Sequence, residues 1–404
     1  MKNNFNEQQI DYSADARVVI SELEAVHPMF LLDEVPASYE KSKAEYIEYT
    51  SKPITRTAFR LAMQKFLAML GDGHISMCLA LNKNSLYIDI AWVANVGKLY
   101  LLDENNKPTN IEIINIGGVT VDKITEQVDI YNAAENESAR QYNYALFCRQ
   151  EDMLKLAGCN YADSNIEIKM SDGQTKTYKL IESDGFTIWL GSKPKYIIKH
   201  KMINDVFYID LRTFQPDSSV DETAEKIKSA VQDGVKKFII DIRDNSGGNS
   251  DVGDQLLQAM GMAAPNYGAF VRNSDLVRQR HGNIGDGESD IFKPDLSRAV
   301  ANKNITLLVL TNVNTFSSAT MLGVWVQDGK LGKIVGQTSC NRPNAYGDMI
   351  GIDLPVSNIE LLLSHKRFLR PDTSASPDSL IPDIEVPFGE DILSVALDYM
   401  ASVK

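Results

Sequence analysis

Residues 315–320, Thr-Phe-Ser-Ser-Ala-Thr, lie between a predicted buried strand and a predicted helix. The strand is Ile305 to Leu310, which reads Ile-Thr-Leu-Leu-Val-Leu and is apolar and β-branched. The helix runs from Ser317 to Gln327, so its first turn begins at the serines. This stretch predicts a strand–turn–helix unit that presents a hydroxyl group at the start of a helix.

A second stretch, residues 241–248, reads Asp-Ile-Arg-Asp-Asn-Ser-Gly-Gly and occupies the same kind of position. It follows a strand pattern that ends in Phe238-Ile239-Ile240 and precedes a predicted helix from Asp251 to Met260. Continuous apolar strands that alternate with helices are typical of a parallel sheet covered on both faces. Loops at the carboxyl ends of such strands bind ligands, so the two stretches predict the two halves of one serine-hydrolase site.

Composition limits the class of protein. A chain of 404 residues is too long for one compact core, so we expect two or three domains. The hydrophobic content of 44% and charged content of 24% are ordinary for a soluble protein. A net charge of -13 without Lys/Arg-rich runs disfavours a nucleic-acid partner, and no apolar run of about 18 residues predicts a membrane span.

Two further expectations concern location and cysteine chemistry. Residues 1–14 are polar and lack the apolar core of a signal peptide, so we expect a cytoplasmic protein, or an extracytoplasmic one if the native start lies upstream. The four cysteines are scattered without the close pairs of metal or disulfide sites, and we expect buried or idle free thiols. They are Cys78, Cys148, Cys159 and Cys340.

The predicted organisation is an α/β multidomain chain. Residues 1–82 form a helical N-terminal region, in which the helix Thr55 to Leu70 stops at Gly71-Asp72-Gly73 and leads through His74 into a strand over 75–80. Residues 83–192 form a β-rich middle domain, with one strand expected over 86–93 and one helix within 138–156. Residues 195–404 form the catalytic domain with its parallel-rich sheet.

The second half of the middle domain contains a predicted hairpin and ends at a predicted linker. Strands over Asn165 to Met170 and Thr175 to Leu180 flank Asp172-Gly173, which predicts a hairpin. The linker to the catalytic domain is expected at Gly191-Ser192-Lys193-Pro194.

Ser317 is the predicted nucleophile. A serine attacks a carbonyl only with an adjacent base and an oxyanion hole, and the backbone N–H groups of Gly247, Gly248 and Ser318 are candidates for that hole. Asp241, Arg243 and Asn245 are expected to hold the glycine loop in shape. The competing interpretation is that Thr315, Ser317 and Ser318 only cap the helix.

Taken together, these motifs resemble the tail-specific, or C-terminal processing, serine peptidases, whose catalytic domain has a ClpP/crotonase-like fold. The resemblance rests on residues 241–248, Thr315 to Ala319, Val335-Gly336-Gln337-Thr338 and the partial match Leu380-Ile381-Pro382-Asp383-Ile384-Glu385-Val386. It extends back to Leu70-Gly71-Asp72-Gly73-His74, which is similar to an element of the tricorn-like branch. The resemblance implies a serine endopeptidase of peptides or unfolded proteins that needs no metal or cofactor.

The chain departs from this family pattern at two positions. The processing branch uses a lysine base 25 residues beyond the nucleophile, where this chain has Arg342. A guanidinium stays protonated and cannot serve as a base, so Arg342 is expected to hold a substrate carbonyl or carboxylate. The tricorn-like branch uses a histidine, which His74 matches, and a glutamate near the chain end, for which Ser376 and Asp378 are the candidates.

Some alternatives remain open from the sequence. His365, on a predicted strand of the catalytic domain, is the rival base. The middle domain stands where processing peptidases carry a PDZ module, but it shows no carboxylate-binding loop and is expected only to shape the cleft. A peptide- or small-ligand-binding protein without catalysis is the alternative function, and an acyl-CoA enzyme of the crotonase type is a weaker one. The sequence does not indicate the oligomeric state of the protein.

Overall fold

The structure, a computed structural model, describes residues 8–75, 85–182, 195–281, 285 and 287–403. Two expectations lie largely or wholly outside these residues: the strand over 75–80 and the linker at 191–194. Only Ile75 of that strand is described, and it is helical, like residues 73 and 74.

The N-terminal region is helical, as predicted. Its helices are α1 (Ser13–Val26), α2 (Tyr39–Thr50) and α3 (Arg56–Ala68). Helix α3 begins after Thr55, whose hydroxyl accepts a hydrogen bond from the backbone N–H of Ala58 at 3.1 Å. Phe59, Met63 and Leu67 form its buried face, and Gly71, with φ 70°, turns the chain after its end.

The middle region contains a seven-stranded antiparallel sheet with three helices against it. The strands are β1 (Leu86–Ile88), β2 (Trp92–Asn95), β3 (Lys98–Leu102), β4 (Pro108–Ile116), β5 (Val119–Thr120), β6 (Asn165–Met170) and β7 (Thr175–Glu182). The helices are α4 (Val121–Tyr131), α5 (Glu137–Phe147) and α6 (Glu151–Ala157). The strand order is β1-β7-β6-β4-β3-β2, with β5 paired to β4.

The hairpin prediction is confirmed in this region, while two other predictions are wrong. Strands β6 and β7 pair antiparallel around Gly173, whose φ is 86°. The single strand expected over 86–93 is two strands at opposite edges of the sheet. The single helix expected within 138–156 is divided between α5 and α6, because the chain turns at 148–150.

The C-terminal region contains two sheets. Its strands are β8 (Ile198–Ile203), β9 (Val206–Leu211), β10 (Lys237–Asp241), β11 (Gly268–Arg272), β12 (Ser289–Phe292), β13 (Thr306–Thr311), β14 (Lys333–Gly336), β15 (Tyr346–Asp353), β16 (Glu360–Leu369) and β17 (Ile384–Glu385). Its helices are α7 (Ser218–Gln232), α8 (Asp251–Ala259), α9 (Asp275–His281), α10 (Ser318–Asp328) and α11 (Ile392–Ser402).

The larger of these sheets confirms the predicted parallel arrangement. Its order is β17-β14-β13-β10-β9-β8, and every pair except β8–β9 is parallel. Helices cover both faces, because Phe238 and Ile240 pack into one apolar core with α7, α8 and α10. Ile239 points the other way and packs into a second core with α11.

The smaller sheet, β12-β11-β16-β15, is antiparallel and carries the N-terminal helices. Leu23 and Phe59 of those helices share one buried core with Ile350, Leu361 and Leu363 of β15 and β16. The core of the middle region likewise includes Phe316 and Cys340 of the C-terminal region. Ser317 therefore lies between two of the cores, since Phe316 belongs to that of the middle region and Ala319 to that of the parallel sheet.

The described cysteines agree with the prediction. Cys148, Cys159 and Cys340 are buried free thiols, and burial raises the pKa of each. Cys78 lies outside the described residues. Across those residues, no helix has both the length and the apolar character that a bilayer crossing requires.

Candidate active site

Ser317 occupies a strained turn between strand β13 and helix α10. Its φ and ψ are 52° and -125°, a backbone conformation that costs a non-glycine residue roughly 1–3 kcal/mol. The backbone N–H of Ser317 donates to Oδ1 of Asn341 at 3.0 Å, and helix α10 begins at Ser318. The turn therefore holds the hydroxyl clear of the helix, as serine nucleophiles on such turns require.

The glycine loop after strand β10 lies directly against this turn. Gly247 has φ 91°, and a Cβ atom there would lie 2.8 Å from both Ser317 Cβ and Ser318 N. The hydroxyl of Ser318 donates to the carbonyl of Gly248 at 2.6 Å. Glycine is therefore required at 247 by the close approach of the two loops, in addition to its backbone angle.

The oxyanion-hole prediction needs one correction. The N–H of Gly247 donates to Oδ1 of Asn245 at 2.8 Å, so this group is already used inside the loop. Gly248 and Ser318 both line the cavity beside Ser317. Ser318 is also the first residue of a helix, where N–H groups have no partner within the helix.

Asp241 and its neighbours hold the glycine loop in shape, as predicted. The Asp241 carboxylate is fully buried and accepts hydrogen bonds from Arg243 at 2.9 and 2.6 Å and from the Tyr208 hydroxyl at 2.7 Å. Burial alone raises the pKa of Asp241, but the guanidinium groups of Arg243 and Arg212 bring it below its ordinary value. Asn245 donates to the carbonyl of Leu211 at 2.8 Å.

The structure brings His74 to Ser317 across 243 residues of sequence. Nε2 of His74 lies 3.3 Å from Oγ of Ser317. The imidazole packs against the Phe316 ring at a centroid distance of 4.6 Å, and the residue is only 9% exposed. Its backbone N–H donates to Oδ1 of Asp72 at 2.8 Å, which fixes the turn that carries the ring.

His365, the rival base, makes different contacts. Its Nδ1 hydrogen-bonds the carbonyl of Asp348, and its Nε2 lies 3.7 Å from the Asp348 carboxylate. Burial lowers the pKa of His365 to about 4. The histidine that hydrogen-bonds Ser317 is therefore His74.

Two carboxylates that the sequence reasoning missed lie beside His74. One ring nitrogen of His74 and one carboxylate oxygen each of Asp72 and Glu135 lie within 4.8 Å of one another. The predicted candidates do not come to this place: Ser376 and Asp378 are exposed and lie outside the lining of the cavity. Asp72 stood in a recognised motif, whereas no sequence signal marks Glu135.

A cavity of about 330 Å³ opens beside Ser317. Tyr267, Met321 and Phe368 give it an apolar wall. Arg342 also lines it, with its guanidinium 5.3 Å from the centre of the Tyr346 ring. Nη2 of Arg342 donates to the carbonyl of Gly71 at 3.5 Å, and Nε is buried without a hydrogen-bond partner among the described residues.

Comparison with known proteins gives a consistent result. Residues 205–386 match the sequence model described as peptidase family S41. The fold is similar to that of mature CPAF, with a TM-score of 0.66 and 14% identity over 97% of this chain and 95% of that one. It is also similar to a photosystem II D1 C-terminal processing protease, with a TM-score of 0.50 and 14% identity over 96% and 97% of the two chains. No curated protein matches the chain.

Proposed function

We propose that this chain, whose residues 205–386 match the model of peptidase family S41, is a serine endopeptidase that uses Ser317 as nucleophile and His74 as base. The observation that carries the proposal is the 3.3 Å contact between His74 Nε2 and Ser317 Oγ beside an open cavity. Peptides or unfolded proteins are the proposed substrates, since their extended backbone can enter such a cavity.

The proposed reaction has two halves. Ser317 Oγ attacks the peptide carbonyl carbon while His74 Nε2 takes the hydroxyl proton. The N–H groups of Gly248 and Ser318 donate to the resulting oxyanion. The protonated His74 then gives its proton to the leaving amine, and the acyl-enzyme forms.

In the second half, His74 takes a proton from a water molecule that attacks the acyl carbon. The acid product leaves and the proton returns to Ser317 Oγ, so the enzyme is restored. No lysine is required in this scheme, and Arg342 is assigned to binding a substrate carbonyl or carboxylate because its guanidinium stays charged.

We further propose that residues 195–404 are a catalytic domain of the ClpP/crotonase-like type. In this proposal, residues 83–192 are a β-rich domain that shapes the cleft, and residues 1–82 are a helical region that supplies the base. The shared core between the N-terminal helices and strands β15 and β16 supports the last point. On that basis the N-terminal region is required for activity.

Labelling by a fluorophosphonate probe tests the nucleophile, because only an activated serine reacts with it. The wild type should be labelled and should cleave unstructured casein, while Ser317→Ala should do neither and keep its fold. Ser318→Ala is the matched control, since it keeps its backbone N–H and should still be labelled. If Ser317→Ala is labelled and Ser318→Ala is not, the nucleophile is Ser318.

One observation favours a second candidate, a peptide-binding protein without catalysis. Arg342 stands where the related processing peptidases have their lysine base. A folded wild type that binds peptides but is never labelled would support this candidate, and so would an Arg342→Lys variant that gains activity. The acyl-CoA alternative predicts turnover that survives Ser317→Ala.

A further inference from the structure

We propose that Glu135 is the positioning residue of this site. Its carboxylate links the segments that carry Ser317 and His74 and places a negative charge beside the His74 ring. This inference rests on the function proposed above and deepens it, because it assigns the group that keeps base and nucleophile aligned.

The hydrogen bonds of Glu135 go to the neighbour of His74 and to the asparagine that holds Ser317. Oε1 accepts from the backbone N–H of Gly73, next to His74, at 3.1 Å. Oε2 accepts from Nδ2 of Asn341 at 2.6 Å and from the backbone N–H of Arg342 at 2.8 Å. Oδ1 of the same Asn341 accepts from the N–H of Ser317 at 3.0 Å. One carboxylate therefore connects the turn of the base with the turn of the nucleophile.

The burial of Glu135 indicates that its surroundings are built to hold a carboxylate. The residue is 9% exposed, and a buried carboxylate is costly unless donors surround it. Three N–H donors do so here. A Cβ atom at Gly73 would lie 3.1 Å from Oε1 of Glu135, so a glycine at 73 leaves room for this contact.

One of the two nitrogens of the His74 ring is without a hydrogen bond in the described part of the chain. Nδ1 of His74 is buried and makes no hydrogen bond to any described residue. The Asp72 carboxylate lies 4.0 Å from Nδ1, and Glu135 belongs to the same cluster of ligand atoms. When Nε2 takes the Ser317 proton, the ring becomes an imidazolium, and these two negative charges stabilise it.

The other carboxylate beside His74, Asp72, has its hydrogen bonds within its own turn and to His27. Asp72 accepts from the backbone N–H groups of His74 at 2.8 Å and Ile75 at 3.4 Å, and its Oδ2 lies 3.1 Å from Nε2 of His27. Burial alone raises the pKa of Asp72, but the hydrogen bond with His27 helps to hold it well below its ordinary value. Asp72 is thus engaged in shaping the turn.

Three more charged side chains line the cavity, Arg342, Asp348 and Lys366. Asp348 and Lys366 form an ion pair with each other. Within the described part of the chain, Glu135 is the carboxylate with hydrogen bonds to both the base turn and the Asn341 side chain that holds Ser317.

Glu135→Gln tests the role, because it keeps the size of the side chain but removes its charge. We expect kcat to fall about 100-fold with KM changed less than about twofold, since the loss concerns the transition state. The acidic limb of the pH–activity profile should move to lower pH, because an uncharged neighbour no longer favours the imidazolium. Glu137→Gln is the matched control, since Glu137 is 65% exposed and pairs with Arg140, and it should leave all three quantities unchanged.

A second measurement needs no catalysis. Histidine ring signals can be followed by NMR against pH in Ser317→Ala, with His74 assigned from His74→Ala. Adding Glu135→Gln should move the His74 midpoint to lower pH. If the wild type is not labelled by the fluorophosphonate probe, the proposed peptidase function fails. A shift of the His74 midpoint on Glu135→Gln would still support the positioning role of Glu135.

An unchanged midpoint and an unchanged acidic limb in folded Glu135→Gln would overturn the inference, even with a lower kcat. If Glu135→Gln does not fold, Glu135→Asp carries the test, because it keeps the charge and shortens the side chain by one methylene. It should retain the wild-type acidic limb and show a lower kcat. A wild-type kcat in Glu135→Asp would overturn the inference.

Discussion

The two halves of the site are built in different ways. The nucleophile half consists of the loops after strands β10 and β13, residues 242–250 and 312–317. These strands are direct parallel neighbours, with Asp241 opposite Leu310. The base half consists of the turn at 71–75 together with Glu135, and these residues come from the helical N-terminal region and the middle region.

The difference shows which contacts local structure provides and which depend on packing between regions. Parallel neighbours release their loops at one edge of the sheet, so the glycine loop meets the serine turn as soon as the sheet forms. The base half reaches Ser317 only because the N-terminal helices pack on strands β15 and β16 in a shared apolar core. Variants can therefore break one half while the other remains intact.

The largest expected effect comes from His74→Ala, which removes the base half alone. We expect kcat to fall about 1000-fold with little change in KM or in melting temperature, because the lost imidazole transfers the proton in the transition state. Steady-state kinetics on a fluorogenic peptide measure both constants. His200→Ala, at an exposed histidine, should keep full activity. An active His74→Ala together with an inactive His365→Ala would transfer the role of base.

The second-largest expected effect comes from Gly247→Ala, which alters the nucleophile half. The added Cβ would lie 2.8 Å from Ser317 Cβ, and the residue has φ 91°, so the two loops must separate. Probe labelling should slow about 100-fold, as a small misplacement of the reacting atom has a large effect. The control is Gly234→Ala, where φ is 86° but a Cβ would meet no atom within 4 Å. Equal labelling rates in the two variants would contradict the prediction.

Arg342→Ala sharpens the comparison, because Arg342 lies between the two halves and touches substrate in our proposal. KM for peptides should rise about tenfold, the loss expected for one charge-assisted hydrogen bond. Labelling of Ser317 by a small probe should stay nearly unchanged, since the probe does not need the guanidinium. A loss of labelling equal to the loss of peptide cleavage would show that Arg342 acts on the nucleophile instead.

The smallest effect is a pH dependence of stability that originates away from both halves. Burial lowers the pKa of His365 to about 4, whereas an unfolded histidine titrates near 6.5. The unfolded chain therefore binds more protons between these values, and stability falls as pH decreases below about 6.5. The loss should be roughly 1 kcal/mol between pH 7 and pH 6, measured by urea unfolding. His365→Gln should remove this slope, and His200→Gln should keep it.

Much of the nucleophile half could be predicted from the sequence. The apolar runs ending at Ile240 and Leu310 indicated buried parallel strands, and the helix predicted from Ser317 begins one residue later in the structure. The sequence did not indicate that Gly247 uses its N–H within its own loop, because that depends on where the Asn245 side chain points.

The base half was only partly predictable. His74 stood out through its glycine-flanked turn and the family resemblance, and the structure places it against Ser317. Glu135 has no distinguishing pattern in the sequence, and the family pattern favours Ser376 and Asp378 instead, which lie outside the cavity lining. A single carboxylate in a short loop between two helices has no local pattern that distinguishes a buried contact from a solvated one.

The sequence by itself determined the strands that carry Ile240 and Leu310, their parallel arrangement and the turn that presents Ser317. These follow from apolar periodicity and glycine positions, which act over a few residues. Only the tertiary structure decided which histidine faces Ser317, which carboxylates lie beside it and what Arg342 contacts. Those pairs are joined through the packing of three apolar cores, and their separation along the chain leaves no local trace.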